Sequence, residues 1–175
     1  MLILQHPMEV ANAKGSARLL HLSLPNSRMA TGEAFAEADL RALLSEPRIS
    51  VLLYPDTPAG QTPALAAPAP FDPAWTAQPQ HLRLVVLDGT WRKSRKMLYL
   101  NPLLQTLPRL PLRDTPPSHY LIRKAHLPDQ LSTLEATCYS LAQLEDDAAK
   151  FQPLIAAFDG FVAQQLSYIP APPPA

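Results

Sequence analysis

The run Leu82-Arg83-Leu84-Val85-Val86-Leu87 constrains the fold of this chain more than any other stretch. Apart from Arg83 it is continuously apolar, so it reads as a buried strand of the kind found in parallel sheets covered by helices. Asp88-Gly89-Thr90 then turns the chain into Trp91–Leu100, whose spacing predicts a helix. In such α/β arrangements ligands and chemistry sit at the carboxyl end of the strand. Here that end carries one carboxylate, two hydroxyls, one indole and four cations within Asp88–Lys96. The pattern suits a site that meets something anionic while keeping one carboxylate in reserve.

The remaining segments alternate in the same way. Leu2–Leu4 and Ile49–Tyr54 read as short buried strands, the latter ended by Pro55. Ser16–His21 reads as a helix start with Ser16 as its cap, and Glu33–Ser45 as a helix carrying a stripe of Phe35, Leu40, Leu43 and Leu44. Residues 55–80 hold seven prolines and many alanines, and predict a long surface loop between two strands of one sheet. Asn101-Pro102 restarts or kinks the helix through Leu107, and Leu110–Leu112 and His119–Ile122 are short strand candidates. Ser132-Thr133-Leu134-Glu135 is a capping box opening a helix to about Glu145. Phe151–Leu166 reads as a last helix, and 169–175 as a Pro-rich tail. The expectation is one domain over residues 1–168, of class α/β, with a mainly parallel sheet flanked by helices.

Several function classes fall away. The single cysteine, Cys138, sits mid-helix among apolar neighbours as a buried thiol, and excludes an internal disulfide framework or multi-cysteine zinc site within this chain. No metal site is expected, and no apolar run approaches the roughly 20 residues that span a bilayer. The N-terminal residues lack the pattern of a signal peptide, so the expected compartment is cytoplasmic, with no membrane partner. Neither GxGxxG nor GxxxxGK[ST] occurs, which disfavours dinucleotide and NTP enzymes; GxSxG and HExxH are also absent.

Net charge is zero, yet residues 88–126 hold eight Lys or Arg against two acids. That central block, rather than the overall balance, points to nucleic acid. Arg92, Arg95 and Lys96 share one helix face at spacings of three and four, while Trp91 falls with Ser94 and Leu98 and so reads as core or as an exposed stacking ring. Thr90 is placed to cap the helix, and Asp88 is either a turn acid or a working carboxylate. Gln5-His6-Pro7-Met8-Glu9 brings an amide, an imidazole and a carboxylate into one loop, and Arg123 and Lys124 end a strand candidate ready for a phosphate or a carboxylate.

Five segments in order resemble the DTW-domain family, whose name comes from its Asp-x-Thr-Trp motif. They are Leu4–Glu9; Leu52-Leu53-Tyr54-Pro55; Leu87–Trp91 with Arg95-Lys96-Met97; Tyr120–Lys124; and Ser132–Ala136, a span from Leu2 to Leu166. The resemblance implies a tRNA-uridine aminocarboxypropyltransferase, which moves the 3-amino-3-carboxypropyl group of S-adenosylmethionine to N3 of a tRNA uridine and releases methylthioadenosine. It implies a SPOUT-like fold with a C-terminal trefoil knot, and tRNA and S-adenosylmethionine as partners. A two-fold dimer is common among SPOUT relatives, but no residues here mark an interface. Many bacterial members carry a cysteine-rich segment ahead of the Gln-His-Pro motif. Met1 stands close to that motif, so the expectation is either a naturally short form or a missing upstream segment, and full tRNA affinity is an open point between them.

Under that resemblance Asp88, Thr90 and Trp91 are the expected catalytic residues. Asp88 serves as base or orienter of uridine N3–H, Thr90 fixes the loop, and Trp91 packs or stacks. Leu53, Tyr54, Leu87, Arg123, Leu131, Ser132 and Thr133 are expected to cradle S-adenosylmethionine, and His6, Arg92, Arg95, Lys96 and Lys124 to contact RNA. Two other readings stay open at this stage: a SPOUT-like methyltransferase using the same donor, and a non-catalytic RNA-binding module.

Overall fold

The computed structural model describes residues 1–12, 15–45, 47–56, 67–118 and 131–168. In chain order the elements are β1 (Leu2–Gln5), α1 (Ser16–Ser23), β2 (Arg28–Thr31), α2 (Glu37–Leu44), β3 (Ile49–Leu53), β4 (Leu82–Asp88), α3 (Trp91–Leu100), α4 (Pro102–Gln105), β5 (Arg109–Leu110), α5 (Thr133–Glu145) and α6 (Gln152–Ser167). The strands form one sheet in the order β2-β1-β4-β3-β5, and every pairing is parallel. β4 is buried at each of its positions, as a central strand with helices on both faces must be.

Side chains alternate across β1 and sort the core into two layers. Ile3 packs with Ala17 and Leu20 of α1 and with Leu134, Cys138, Ile155 and Phe158 of α5 and α6. Leu2 and Leu4 pack with Leu40, Met97, Leu98 and Leu104 on the opposite face, under α2, α3 and α4. Crossovers stepping one way along the sheet therefore run over one face and those stepping back over the other, as right-handed connections require. The chain leaves β1 toward β2 and leaves β4 toward β5, in opposite directions from adjacent strands. A crevice opens where such neighbours part, and this is where open α/β sheets bind ligands.

Four expectations about local structure need correction. α2 begins at Glu37, not Glu33, because the side chain of Asn101 holds the preceding turn, accepting from Phe35 N at 2.9 Å and donating to Glu33 O at 2.9 Å. Ser16 does not cap its own helix; it is the first residue of α1, and its Oγ accepts from Leu134 N at 3.4 Å in the first turn of α5. The strand expected over Leu110–Leu112 is Arg109–Leu110, since Pro111 has no N–H for a ladder. The described part of the Pro-rich loop is not merely surface. It forms two short 3-10 turns, Pro73–Ala77 and Pro79–His81, and sets Phe71 and Trp75 edge to face, centroids 5.5 Å apart, against Val51, Leu84 and Val86. Aromatic area of that size is worth burying wherever a sheet face is open. The strand expected over 119–122 and the tail 169–175 lie outside the described residues.

Cys138 sits in α5 with none of its surface exposed, and burial, followed by the charge of Glu135, pushes its thiol up to about 12. The thiolate is the reactive form. Iodoacetamide in mildly alkaline buffer is therefore expected to leave the folded chain unlabelled and to modify Cys138 fully in denaturant, read by intact mass.

Candidate active site

Asp88 is the last residue of β4 and 6% exposed, in register with Gln5, the last residue of β1. Gln5 Nε2 donates to Asp88 Oδ2 at 2.9 Å, and Thr133 Oγ1, from the start of α5, donates to Asp88 Oδ1 at 2.6 Å. Each carboxylate oxygen so keeps one lone pair uncommitted by these bonds. The peptide of Asp88 also accepts from His6 N at 2.9 Å, which continues the β1–β4 ladder by one residue. Three segments distant in sequence thus meet at one carboxylate.

The residues after Asp88 fold tightly. Thr90 caps α3, its side chain accepting from Lys93 N at 3.4 Å. Gly89 lies where the first turn of α3 closes on the loop after β1. A Cβ there would come within 3.1 Å of Lys93 Cβ, tight enough that Lys93 would have to shift by a few tenths of an ångström, and would touch His6 Cβ at 3.5 Å.

A cleft of about 320 Å³ opens beside this turn at the carboxyl edge of β3, β4 and β5. Its walls include Leu53, Tyr54, Leu87, Leu131, Ser132 and Thr133, six of the seven residues expected to hold the donor. Arg123, the seventh, lies outside the described residues, as does Lys124. Trp91 also lines the cleft and is 52% exposed; it is not core, although Ser94 and Leu98 on the same helix are buried. Its ring meets the Tyr54 ring edge to face with centroids 5.9 Å apart. The other face of the chemistry around Tyr54 is a buried cation: Arg109 Cζ lies 5.3 Å from the ring centroid. Burial holds the Tyr54 phenol above its ordinary value, against the pull of Arg109 and Arg95, so it stays a protonated donor.

The expected RNA-contacting residues divide. Arg92 and Arg95 are exposed on α3 beside Trp91 and Tyr99, and among the described residues neither forms an ion pair. Lys96 is exposed but paired, Nζ to Glu33 Oε2 at 2.9 Å. His6 is 5% exposed and is not offered to a ligand. Its Nδ1 accepts from Met8 N at 3.2 Å, capping the 3-10 turn Pro7–Glu9, so Nε2 carries the proton and donates to Glu33 Oε1 at 2.8 Å. His6 is a positioning residue for the loop over Asp88. Burial and the bonds to Met8 N and Glu33 occupy both ring nitrogens, in place of the solvent-facing role that a lone loop histidine suggests. Lys96 first and His6 second hold the Glu33 carboxyl below its ordinary value of 4.5.

Residues missed from sequence are those joined over long separations. Gln5 stood in a recognised motif, but nothing local showed that its amide meets Asp88. Glu33 carried no signal, and although Glu9 and Lys93 stood in singled-out segments, nothing local showed that they pair: Lys93 Nζ meets Glu9 Oε1 at 2.7 Å from opposite sides of the site. Arg109 is 4% exposed, where a strand-edge cation would be expected in water. No three His, Cys, Asp or Glu side chains among the described residues converge as metal ligands.

Comparison with known proteins adds to this geometry. Proteins named tRNA-uridine aminocarboxypropyltransferase 2 from Drosophila melanogaster and Mus musculus are 30% and 26% identical to the chain, over 164 and 170 residues. These alignments cover 89% and 95% of this chain but only 60% and 54% of the relatives, so the chain spans little more than half their length. No solved structure matches the chain significantly. The model of the DTW domain matches residues 1–166, which include Asp88, Thr90 and Trp91 together with every wall of the cleft described above. The chain belongs to the DTW domain family.

Proposed function

We propose that this chain transfers the 3-amino-3-carboxypropyl group of S-adenosylmethionine to N3 of a uridine in tRNA. The observation that carries the reading is Asp88, a buried carboxylate held by Gln5 and Thr133 beside an apolar and aromatic cleft, in a chain similar to proteins named for this activity. The cleft fits the donor on its own terms. Its volume is of ligand-pocket size, its walls are leucines and two aromatic rings, and hydroxyls of Ser132 and Thr133 stand at its edge.

When bound, S-adenosylmethionine supplies an alkyl carbon activated by a sulfonium leaving group. The uridine N3 attacks the methionyl Cγ, the S–Cγ bond breaks with its electron pair going to sulfur, and the N3 proton passes to Asp88. The products are N3-substituted uridine and methylthioadenosine. Gln5 and Thr133 fix the carboxylate in one orientation, so alignment is set before the nucleotide arrives. Thr90 stabilises the first turn of α3, and Trp91 closes the outer wall of the donor cleft.

Arg92 and Arg95 are placed to meet tRNA phosphates. Replacing either by Ala is expected to flatten the salt dependence of tRNA binding by about one unit of log–log slope. Lys96→Ala should change it less, because Glu33 already neutralises that ammonium. Fluorescence anisotropy across a salt series checks both. A single domain over 1–168, the SPOUT classification with a C-terminal trefoil knot, and a cytoplasmic site of action belong to the same reading. The direct test is product mass: tRNA incubated with donor labelled in methyl or aminocarboxypropyl carbons, then digested to nucleosides. Aminocarboxypropyl label on uridine is expected; methyl label would make the chain a methyltransferase, and binding without transfer an RNA-binding module.

A further inference from the structure

A second hollow, of about 480 Å³, lies on the other side of Asp88 from the donor cleft. It occupies the crevice between the loop after β1 and the loop after β4, which leave the sheet in opposite directions. Gly89, Ser132 and Thr133 line both hollows and form their shared wall, whereas Asp88 lines only the second. Asp88 therefore borders the hollow that the donor cleft does not include.

The charges in this second hollow identify what it takes. Lys93 pairs with Glu9, with both side chains largely buried, and among the described residues no other cation lines the hollow to offset Asp88. On that lining a phosphate is disfavoured beside the carboxylate. A neutral heterocycle with an N–H suits it, since Asp88 keeps lone pairs to accept that hydrogen and the Lys93 ammonium keeps two donors for a carbonyl. Uracil presents N3–H between two carbonyls. Cytosine would set a ring lone pair against the carboxylate and an amino group against the ammonium. On the rim, the 3-10 turn holds Met8 73% exposed. An apolar side chain left in water beside a polar hollow fits the wedge that fills the stack when a base is drawn out.

We infer that this second hollow is the acceptor pocket. In it an extruded uracil sits with N3–H on Asp88 and a carbonyl on Lys93, while Met8 packs against the neighbouring nucleotide. The inference rests on the transferase reading above. It adds that donor and acceptor approach from opposite sides of Asp88 and meet over Gly89 and Thr133.

The experiment is photo-crosslinking of the full chain to a pool of tRNA transcripts in which 4-thiouridine, which keeps N3–H, replaces uridine. Mass spectrometry of the digest is expected to find adducts on Met8, Asn12 or Lys93, which line the hollow. Adducts confined to Trp91 and Tyr99 on the outer face of α3, or no adducts at all, overturn the pocket. Product mass measured in parallel separates the two claims. Aminocarboxypropyl product with adducts elsewhere sinks the pocket alone, while hollow adducts with a methylated product keep the pocket and sink the transferase reading. Met8→Ala, a change at an exposed position, is expected to raise KM for tRNA by about tenfold with unchanged donor affinity. An unchanged KM removes the wedge.

Discussion

Asp88→Asn is expected to lower kcat for transfer by roughly 10²–10⁴, the range a positioned proton acceptor supplies, while donor and tRNA affinities stay at their original values. The amide is close in shape to the carboxylate, and the two partners adapt to it. Its oxygen can accept from Gln5 Nε2, and Thr133 Oγ1 can accept from its NH2 instead of donating. Melting temperature should therefore hardly move. Asp88→Ala should behave differently, because Gln5 and Thr133 lose their shared acceptor in a buried setting, at about 1–3 kcal/mol for each donor. Single-turnover transfer, calorimetric donor binding and thermal melts on both variants separate the roles. Full turnover in Asp88→Asn would make the residue a turn acid and leave the reaction without its base.

The second large effect is on stability. Glu135 is 1% exposed, and its carboxylate accepts from Ser132 N at 2.7 Å and from Ser118 Oγ at 2.9 and 3.1 Å. Ser132 Oγ returns the bond, accepting from Glu135 N at 3.1 Å. Glu135→Ala removes half of the capping box and the anchor of the loop before the site, and leaves the Ser132 amide without its acceptor. Destabilisation of about 2–4 kcal/mol follows from a lost cap and a buried unsatisfied donor together. For a chain of this size that lowers Tm by roughly 5–15 °C. Donor affinity should fall as well, because Ser132, Thr133 and Thr115 line the cleft this residue holds in place. Glu135 touches no expected substrate atom, so kcat at saturating donor and low temperature should recover. Persistent loss of kcat there would move Glu135 into the reacting site.

Both effects depend on residues whose local role was legible and whose distant role was not. The capping box could be read from Ser132 and Glu135, because cap chemistry acts over three residues. That the same carboxylate also holds Ser118 depends on how the chain returns after β5. Likewise the motif Asp88-x-Thr90-Trp91 announced a strand end, a cap and a ring, and the structure has all three. The assignment of cations was least legible. Arg92, Lys93, Arg95, Lys96 and Arg109 are alike in sequence, yet two stand in solvent, two pair with Glu9 and Glu33, and one is buried under Tyr54.

What the sequence by itself determined is therefore the short-range part. Continuous apolar runs ended by turns specify buried strands, helical spacing specifies which faces pack, and Asp88 is bound to stand at a strand's carboxyl end. These follow from burial and hydrogen bonding within a few residues. The tertiary structure decided the order β2-β1-β4-β3-β5, including an edge strand, Arg28–Thr31, with too little apolar character to be seen in advance. It also decided that Gln5 and Thr133, 83 and 45 residues away, would meet on Asp88 and that Glu9 would take Lys93 across 84 residues. Such contacts depend on which strands become neighbours and on the hand of each crossover, and no periodicity within a segment carries that information.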